Sequence, residues 1–256
     1  MKLTSRLLRI LIVTVALVCL AAPAFAAALT VSAAASLTDA FTDLKPAFEK
    51  ANPDVTVTFN FASSGALYRQ IEQGAPVDVF ASANQQWMKK AVEGGLVTKD
   101  SVKNFASNTL VLAVPKGNPA KISGPDSLKE ASVTRIGIGQ PKTVPAGRYA
   151  EGSLKSLGMY DELMSKYIFG ESVRQVLDYL IRGEIQAGFV YATDAKKGGD
   201  GLEIVATMPL EKPITYPIGI LKDAASPDLA KTFIEFVLSP DGQKLLEARG
   251  FSAVKK

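Results

Sequence analysis

The chain has 256 residues, 29 of them Lys or Arg and 25 Asp or Glu, with a single cysteine and no histidine. The missing histidine excludes a Ser-His-Asp triad, a histidine general base and a histidine-ligated zinc site. The small basic excess points to no polyanionic partner such as nucleic acid, because Lys2, Arg6 and Arg9 stand in a segment that reads as a leader.

In that leader an apolar stretch from Ile10 to Leu20 follows the three cations and runs to Ala24-Phe25-Ala26, an A-x-A cleavage signature. The stretch is shorter than the ~20 residues of a membrane-spanning helix. We therefore expect a secretory signal peptide over residues 1–26, cleaved after Ala26, and a periplasmic mature protein. Val18 ahead of Cys19 argues against a lipoprotein, and cleavage removes the only cysteine, so no intramolecular disulfide is expected.

Strand and helix patterns then alternate. Strands are predicted at 29–32, 55–61 and 77–82, and helices at 36–50, 64–73 and 85–93. Runs such as Val77-Asp78-Val79-Phe80-Ala81 are apolar on both faces and predict parallel sheet between helix layers. A strand at 109–115 leads into a polar loop at 116–125. A second series follows at 135–139, 145–157, 167–169, 172–182 and 187–190. A strand at 214–221 and helices at 227–238 and 240–248 complete the pattern, with Gly250 as a helix C′ residue. This rhythm predicts an α/β fold of two lobes, each a mostly parallel sheet flanked by helices. Lobe I would hold residues 27–111 and 214–256, lobe II residues 112–213, with crossings near 110–114 and 215–219.

Ligands of open α/β sheets bind beyond the carboxyl ends of strands, where helices begin. Helix starts carry unpaired N–H groups and partial positive charge, which favours anions. Ser36, three residues before Asp39, fits a capping box as well as a ligand donor. Ser63-Ser64-Gly65 offers two hydroxyls and backbone that a ligand can approach closely. Pro145 suits a first helical position and leaves the Ala146 N–H free. Val173 opens a helix with apolar residues at helical spacing (Val176, Leu177, Leu180, Ile181) and donates only through its backbone. Tyr191 ends a strand, where it serves either as a donor at the junction or as a lid on the core. Arg69, Lys142, Arg148 and Arg174 suit solvated faces or long-range steering. Asp78 and Asp194 show no paired-carboxylate spacing and suit structural hydrogen bonds.

Taken in order, Ala33-Ala34-Ala35-Ser36-Leu37-Thr38, Phe61-Ala62-Ser63-Ser64, Gly74-Ala75-Pro76-Val77-Asp78-Val79-Phe80, Val144-Pro145-Ala146-Gly147 and Val190-Tyr191-Ala192-Thr193-Asp194 resemble the periplasmic molybdate-binding proteins of ABC importers. The resemblance spans nearly the whole chain after the leader. It implies a type II periplasmic binding protein, a monomer without catalytic residues or cofactor, that delivers molybdate or tungstate to a membrane permease. The oxyanion would lie in the cleft between the lobes, with molybdenum bonded only to its own oxygens and to no protein atom. Ser36 and Ser64 would supply hydroxyl and backbone donors, Ala146 and Val173 backbone N–H groups, and Tyr191 its phenol. Gly65 stands where the family often has a third serine, and no loss of binding is expected from it.

Neutral donors of this kind satisfy a buried dianion without burying a lysine or arginine. A receptor for sulfate or another tetrahedral oxyanion is the alternative reading. An iron receptor would want paired tyrosines or carboxylates, and a hydrolase without histidine would need a Ser-Lys pair. No S-x-x-K spacing falls at a strand-to-helix junction.

Overall fold

The computed structural model describes residues 27–254, so the signal peptide expected at 1–26 lies outside the described residues. The first sheet is ordered β2 (Val55–Ala62), β1 (Ala27–Ala34), β3 (Val79–Ala81), β10 (Ile214–Ile220), β4 (Lys103–Asn108). The second is ordered β7 (Tyr167–Gly170), β6 (Ile136–Gly139), β8 (Ala187–Tyr191), β5 (Leu110–Pro115), β9 (Leu202–Thr207). In the first, β1 pairs parallel with β2 and β3, while β10 runs antiparallel between β3 and β4. In the second, β6 pairs parallel with β7 and β8, while β5 runs antiparallel between β8 and β9. Each sheet is thus mostly parallel, with one reversed strand. That strand is the one by which the chain arrives from the other sheet, at Thr109 and again between β9 and β10. We propose that the two lobes divide at these crossings.

Eight helices flank the sheets in the described residues: α1 (Thr38–Ala51), α2 (Ser64–Glu72), α3 (Gln85–Glu93), α4 (Pro145–Ser156), α5 (Val173–Ile181), α6 (Ala192–Gly198), α7 (Pro227–Leu238) and α8 (Pro240–Ala248). A 3-10 turn, Ala35–Leu37, joins β1 to α1. None of the described helices is long and apolar enough to cross a membrane. Strands β4 and β9 lie at sheet edges with exposed residues at several positions, so they show neither an apolar run nor a clean alternation. The sequence pattern passes over them for that reason.

The core of the first lobe is aromatic. Phe41 and Phe48 of α1 meet Phe233 of α7 edge-on at 6.0 and 5.2 Å between ring centres, and all three are buried. Such tilted packing favours the ring quadrupoles and adds to the area buried. At the far end of the chain, α8 stops in a Schellman motif. The Gly250 N–H donates to the Glu247 carbonyl at 2.8 Å and the Phe251 N–H to the Leu246 carbonyl at 3.2 Å. Gly250 has φ +92°, a conformation that glycine adopts without a Cβ penalty, as its expected C′ role requires. The turn delivers Phe251 edge-on to the Tyr216 ring, 5.3 Å between centres.

Helix α3 starts at a side-chain cap, with Asn84 Oδ1 accepting the Trp87 N–H at 3.1 Å. Asn84→Ala is expected to lower unfolding stability by about 1 kcal/mol, and Asn84→Asp to keep most of it. Denaturant titration of the two variants checks this.

Candidate functional site

The parallel strands of both lobes point their carboxyl ends at one another, so the helix starts meet between the lobes. There the structure forms a small pocket. All five residues singled out in the sequence line it: Ser36 and Ser64 from the first lobe, Ala146, Val173 and Tyr191 from the second. Ala34, Ala35, Ser63, Ala83, Val144 and Pro145 complete the wall, and none of these residues carries a charge. Ser64 and Ala146 are fully buried, and Val173, the most open of the five, keeps only 4 % of its surface.

The two serines do not cap their helices, and the capping-box reading of Ser36 is corrected here. Ser36 sits inside the 3-10 turn, whose N-cap is Ala34. Its Oγ lies 3.1 Å from the Tyr216 hydroxyl. The Asp39 carboxylate turns instead to Arg174 and Lys197. The N-cap of α2 is Ser63, without a side-chain cap bond, and Ser64 is the first helical residue. Ser64 Oγ accepts the Ala83 N–H at 3.0 Å. Its lone pair thus satisfies a neighbouring strand end, which leaves the hydroxyl hydrogen to the cavity.

The backbone donors follow from where each first turn closes. In α2 the first turn closes with the Ala66 and Leu67 N–H groups donating to the Ser63 carbonyl, so the Ser64 N–H precedes it. In α4 the Arg148 N–H donates to the Val144 carbonyl at 3.1 Å, and the Ala146 N–H lies before it. Gly147 fixes this start on the end of β6: a Cβ there would stand 1.7 Å from the Gly139 carbonyl oxygen. In α5 the Ser172 hydroxyl caps the Gln175 N–H at 3.2 Å, and Val173 again precedes the closed turn. Each N–H belongs to the first four of its helix, which find no acceptor within it. Together they turn partial positive charge on the cavity.

Tyr191 supplies the last donor. Its phenol oxygen is buried and has no hydrogen-bond partner in the protein. Burial, reinforced by neighbouring Tyr216, pushes this phenol well above its ordinary value, so it keeps its proton. A buried hydroxyl without an acceptor costs about 1–3 kcal/mol. An oxyanion in the cavity would remove that cost.

Charges stand just behind this neutral wall, in a cluster that joins the lobes. Arg174, next to Val173, pairs with Asp39 of α1 at 2.5 Å and with Asp194 of α6 at 2.6 Å. It also donates to the Ser36 carbonyl at 3.3 Å, and Lys197 pairs with Asp39 at 3.0 Å. Arg174 is therefore a bridge between lobes, where the sequence suggested a solvated face. Burial pushes the Asp39 carboxyl up, but hydrogen bonds from Lys197 and Arg174 outweigh it and hold it below its usual value. Asp194 is fully buried, and burial prevails over the Arg174 charge and the Tyr191 N–H, raising its carboxyl to about 6. Asp194 and Asp78 both accept structural hydrogen bonds, Asp194 from the Tyr191 N–H and Asp78 from the Thr30 and Ser226 N–H groups.

Asp194 lies at the lower edge of the neutral range. Affinity for a permanent dianion is expected to stay flat from pH 7 to 8.5 and to change only below about pH 6, where Asp194 gains a proton and leaves the Arg174 charge less compensated. Calorimetric titrations at pH 8.5, 7 and 5.5 check this; a steep change between the upper two would contradict a site of neutral donors.

Among the described residues no group of three or more His, Cys, Asp or Glu side chains is placed to hold a metal ion. The sequence did not single out Tyr216, Asn108 or Ala83, which stand behind the serines. Nothing in the local pattern separates Tyr216 from an ordinary core aromatic.

The model of the bacterial extracellular solute-binding protein family matches residues 29–252. The molybdate-binding protein ModA of Haemophilus influenzae is 37% identical over 235 residues, 90% of this chain and 92% of that one. Among solved structures, the Azotobacter vinelandii periplasmic molybdate-binding protein has a TM-score of 0.75 at 24% identity, covering 89% of this chain and 100% of that one. The sulfate-binding protein SubI from Mycobacterium tuberculosis has a TM-score of 0.79 at 19% identity, covering 90% and 88%. These two likenesses show the two-lobed fold. By sequence and by fold, the chain belongs to the bacterial extracellular solute-binding protein family, among its ModA-like members, and is a binding protein and not an enzyme.

Proposed function

We propose that the protein captures molybdate, and tungstate through the same contacts, and delivers it as a monomer to the membrane permease of an ABC importer. In this reading residues 1–26 are a cleaved signal peptide and the mature chain works in the periplasm. The observation that carries it is the chargeless cavity in which two serine hydroxyls, the N–H groups of helix starts and the unpartnered Tyr191 phenol meet. A tetrahedral dianion accepts hydrogen bonds on all sides and donates none, which suits a wall of donors. The ModA relatives are named for binding molybdate, which supports the choice within the oxyanions.

Because Ser36 and Ser64 come from one lobe and Ala146, Val173 and Tyr191 from the other, only the closed form offers the complete donor set. The ligand then favours that form by its differential affinity, and the closed shape is what a permease would recognise. Arg69, Lys142 and Arg148 lie outside the cavity wall and would act on the anion only through their long-range field.

Calorimetric titration with molybdate, repeated in a large excess of sulfate, tests the reading. One-to-one binding that survives sulfate is expected. Binding abolished by sulfate would make the protein a general oxyanion receptor of the same fold. No heat with either anion would overturn the site.

A further inference from the structure

Behind Ser36 lies a chain of hydrogen bonds that begins at Asn108. Asn108 closes β4 at the crossing between lobes. Its Oδ1 accepts the Thr109 N–H at 2.9 Å, which settles which way the amide faces. Both amide hydrogens are then spent, one on Thr193 Oγ1 at 2.9 Å and one on the Tyr216 hydroxyl at 3.2 Å. Tyr216 is fully buried, and burial raises its phenol far above the ordinary value, so it keeps its hydrogen. Having accepted from Asn108, the phenol can direct that hydrogen to Ser36 Oγ, 3.1 Å away, a contact in which either hydroxyl could be the donor. With the bond in that sense, Ser36 accepts from behind and its own hydrogen faces the cavity. A register shift between Tyr216 and Pro217 breaks the pairing of β10 with β4 at this point, the kind of irregularity that re-aims a side chain.

We propose that Asn108 and Tyr216 are positioning residues that hold Ser36 as an obligate donor, so that the site rejects oxyanions that carry a proton. The proposal rests on the oxyanion reading of the cavity and deepens it. Without the relay, Ser36 can turn its hydrogen back and offer a lone pair to the ligand. Ser64 is held as a donor in the same sense by the Ala83 N–H, and Ser36 is the position at which the polarity of the wall depends on two distant side chains. Sulfate and hydrogen phosphate separate the idea cleanly. Near pH 8 both carry two charges on a tetrahedron of similar size, and they differ by one proton.

The experiment measures molybdate affinity by calorimetry at pH 8, and then its displacement by sulfate and by hydrogen phosphate, for the wild type, Tyr216→Phe and Asn108→Ala. Tyr216→Phe keeps the ring against Tyr191 and Phe251 but deletes the relay hydroxyl. Asn108→Ala leaves Tyr216 in place and frees its oxygen to accept from Ser36, so it reports even if the first variant folds poorly. Both are expected to bind molybdate about fivefold more weakly, the worth of one net hydrogen bond. In both, the preference for sulfate over hydrogen phosphate should shrink at least tenfold. Equal losses for the two competitors, or an unchanged preference, would overturn the proposal, because a packing role alone moves both anions together. A wild type that binds no molybdate would overturn the oxyanion reading itself, a result distinct from failure of the relay.

Discussion

Arg174→Gln is expected to lower unfolding stability by about 3 kcal/mol at pH 7.5, because it leaves the Asp194 carboxylate buried without its cation. The lower end of the range for a broken buried pair applies, since Arg174 keeps 19% of its side-chain surface while Asp194 keeps none. The defect has a definite pH signature. With Arg174 present the Asp194 carboxyl already titrates near 6, and without it the value rises further. The folded variant then binds a proton that the unfolded chain, with an ordinary carboxylate near 4, does not. Stability falls with rising pH wherever the folded state holds more protons, so the variant recovers relative to wild type as pH drops from 7.5 to 5. Urea titrations at the two pH values check both parts. A loss below about 1 kcal/mol at pH 7.5, or a defect that deepens at pH 5, would show that Arg174 does not neutralise Asp194. Loss of the bond to Asp39 also removes one tie between the lobes, leaving that of Lys197, so the same variant should bind molybdate more weakly at pH 7.5.

Ser64→Ala should reduce molybdate affinity by more than tenfold. In the proposed site the hydroxyl removed would donate to a buried dianion, a hydrogen bond worth about 1.5–3 kcal/mol. The change has a second cost that calorimetry alone would miss. Ser64 Oγ also accepts the Ala83 N–H, so the ligand-free protein loses a buried hydrogen bond as well. Thermal unfolding without ligand should therefore show a moderate loss, with a larger one when molybdate is present, since bound ligand stabilises the fold by mass action. An unchanged dissociation constant would remove Ser64 from the site. Equal losses of melting temperature with and without ligand would assign it to packing only.

The five cavity residues span positions 36 to 191, yet each was marked locally. Each stands where an apolar strand yields to a helical pattern, and the parallel strands carry all such places to one edge of their sheets. The topology then needs only two sheets facing each other to bring them together. What lies behind them carries no such mark. Tyr216 reaches Ser36 across 180 residues from β10, and Asn108 ends β4, an edge strand without clear periodicity. Side-chain pairs at that separation are set by packing, which no local pattern encodes. Arg174 did leave a trace. It sits in the first turn of α5, where the helix dipole disfavours a cation and no acidic residue shares the turn. A cation there needs carboxylates from elsewhere, and Asp39 and Asp194 are those groups.

The Schellman turn at Gly250 bears on how the protein is made. It seats Phe251 against the Tyr216 ring, and beyond it Ser252 exchanges backbone hydrogen bonds with Ser107, one residue from Asn108. Phe251 and Ser252 thus brace the wall that backs the cavity. A polypeptide that emerges N-terminus first has no completed receptor until that tail has followed. Oxyanion capture in the proposed site would therefore depend on Phe251 and Ser252, and a chain cut short after α8 should hold its anion more weakly.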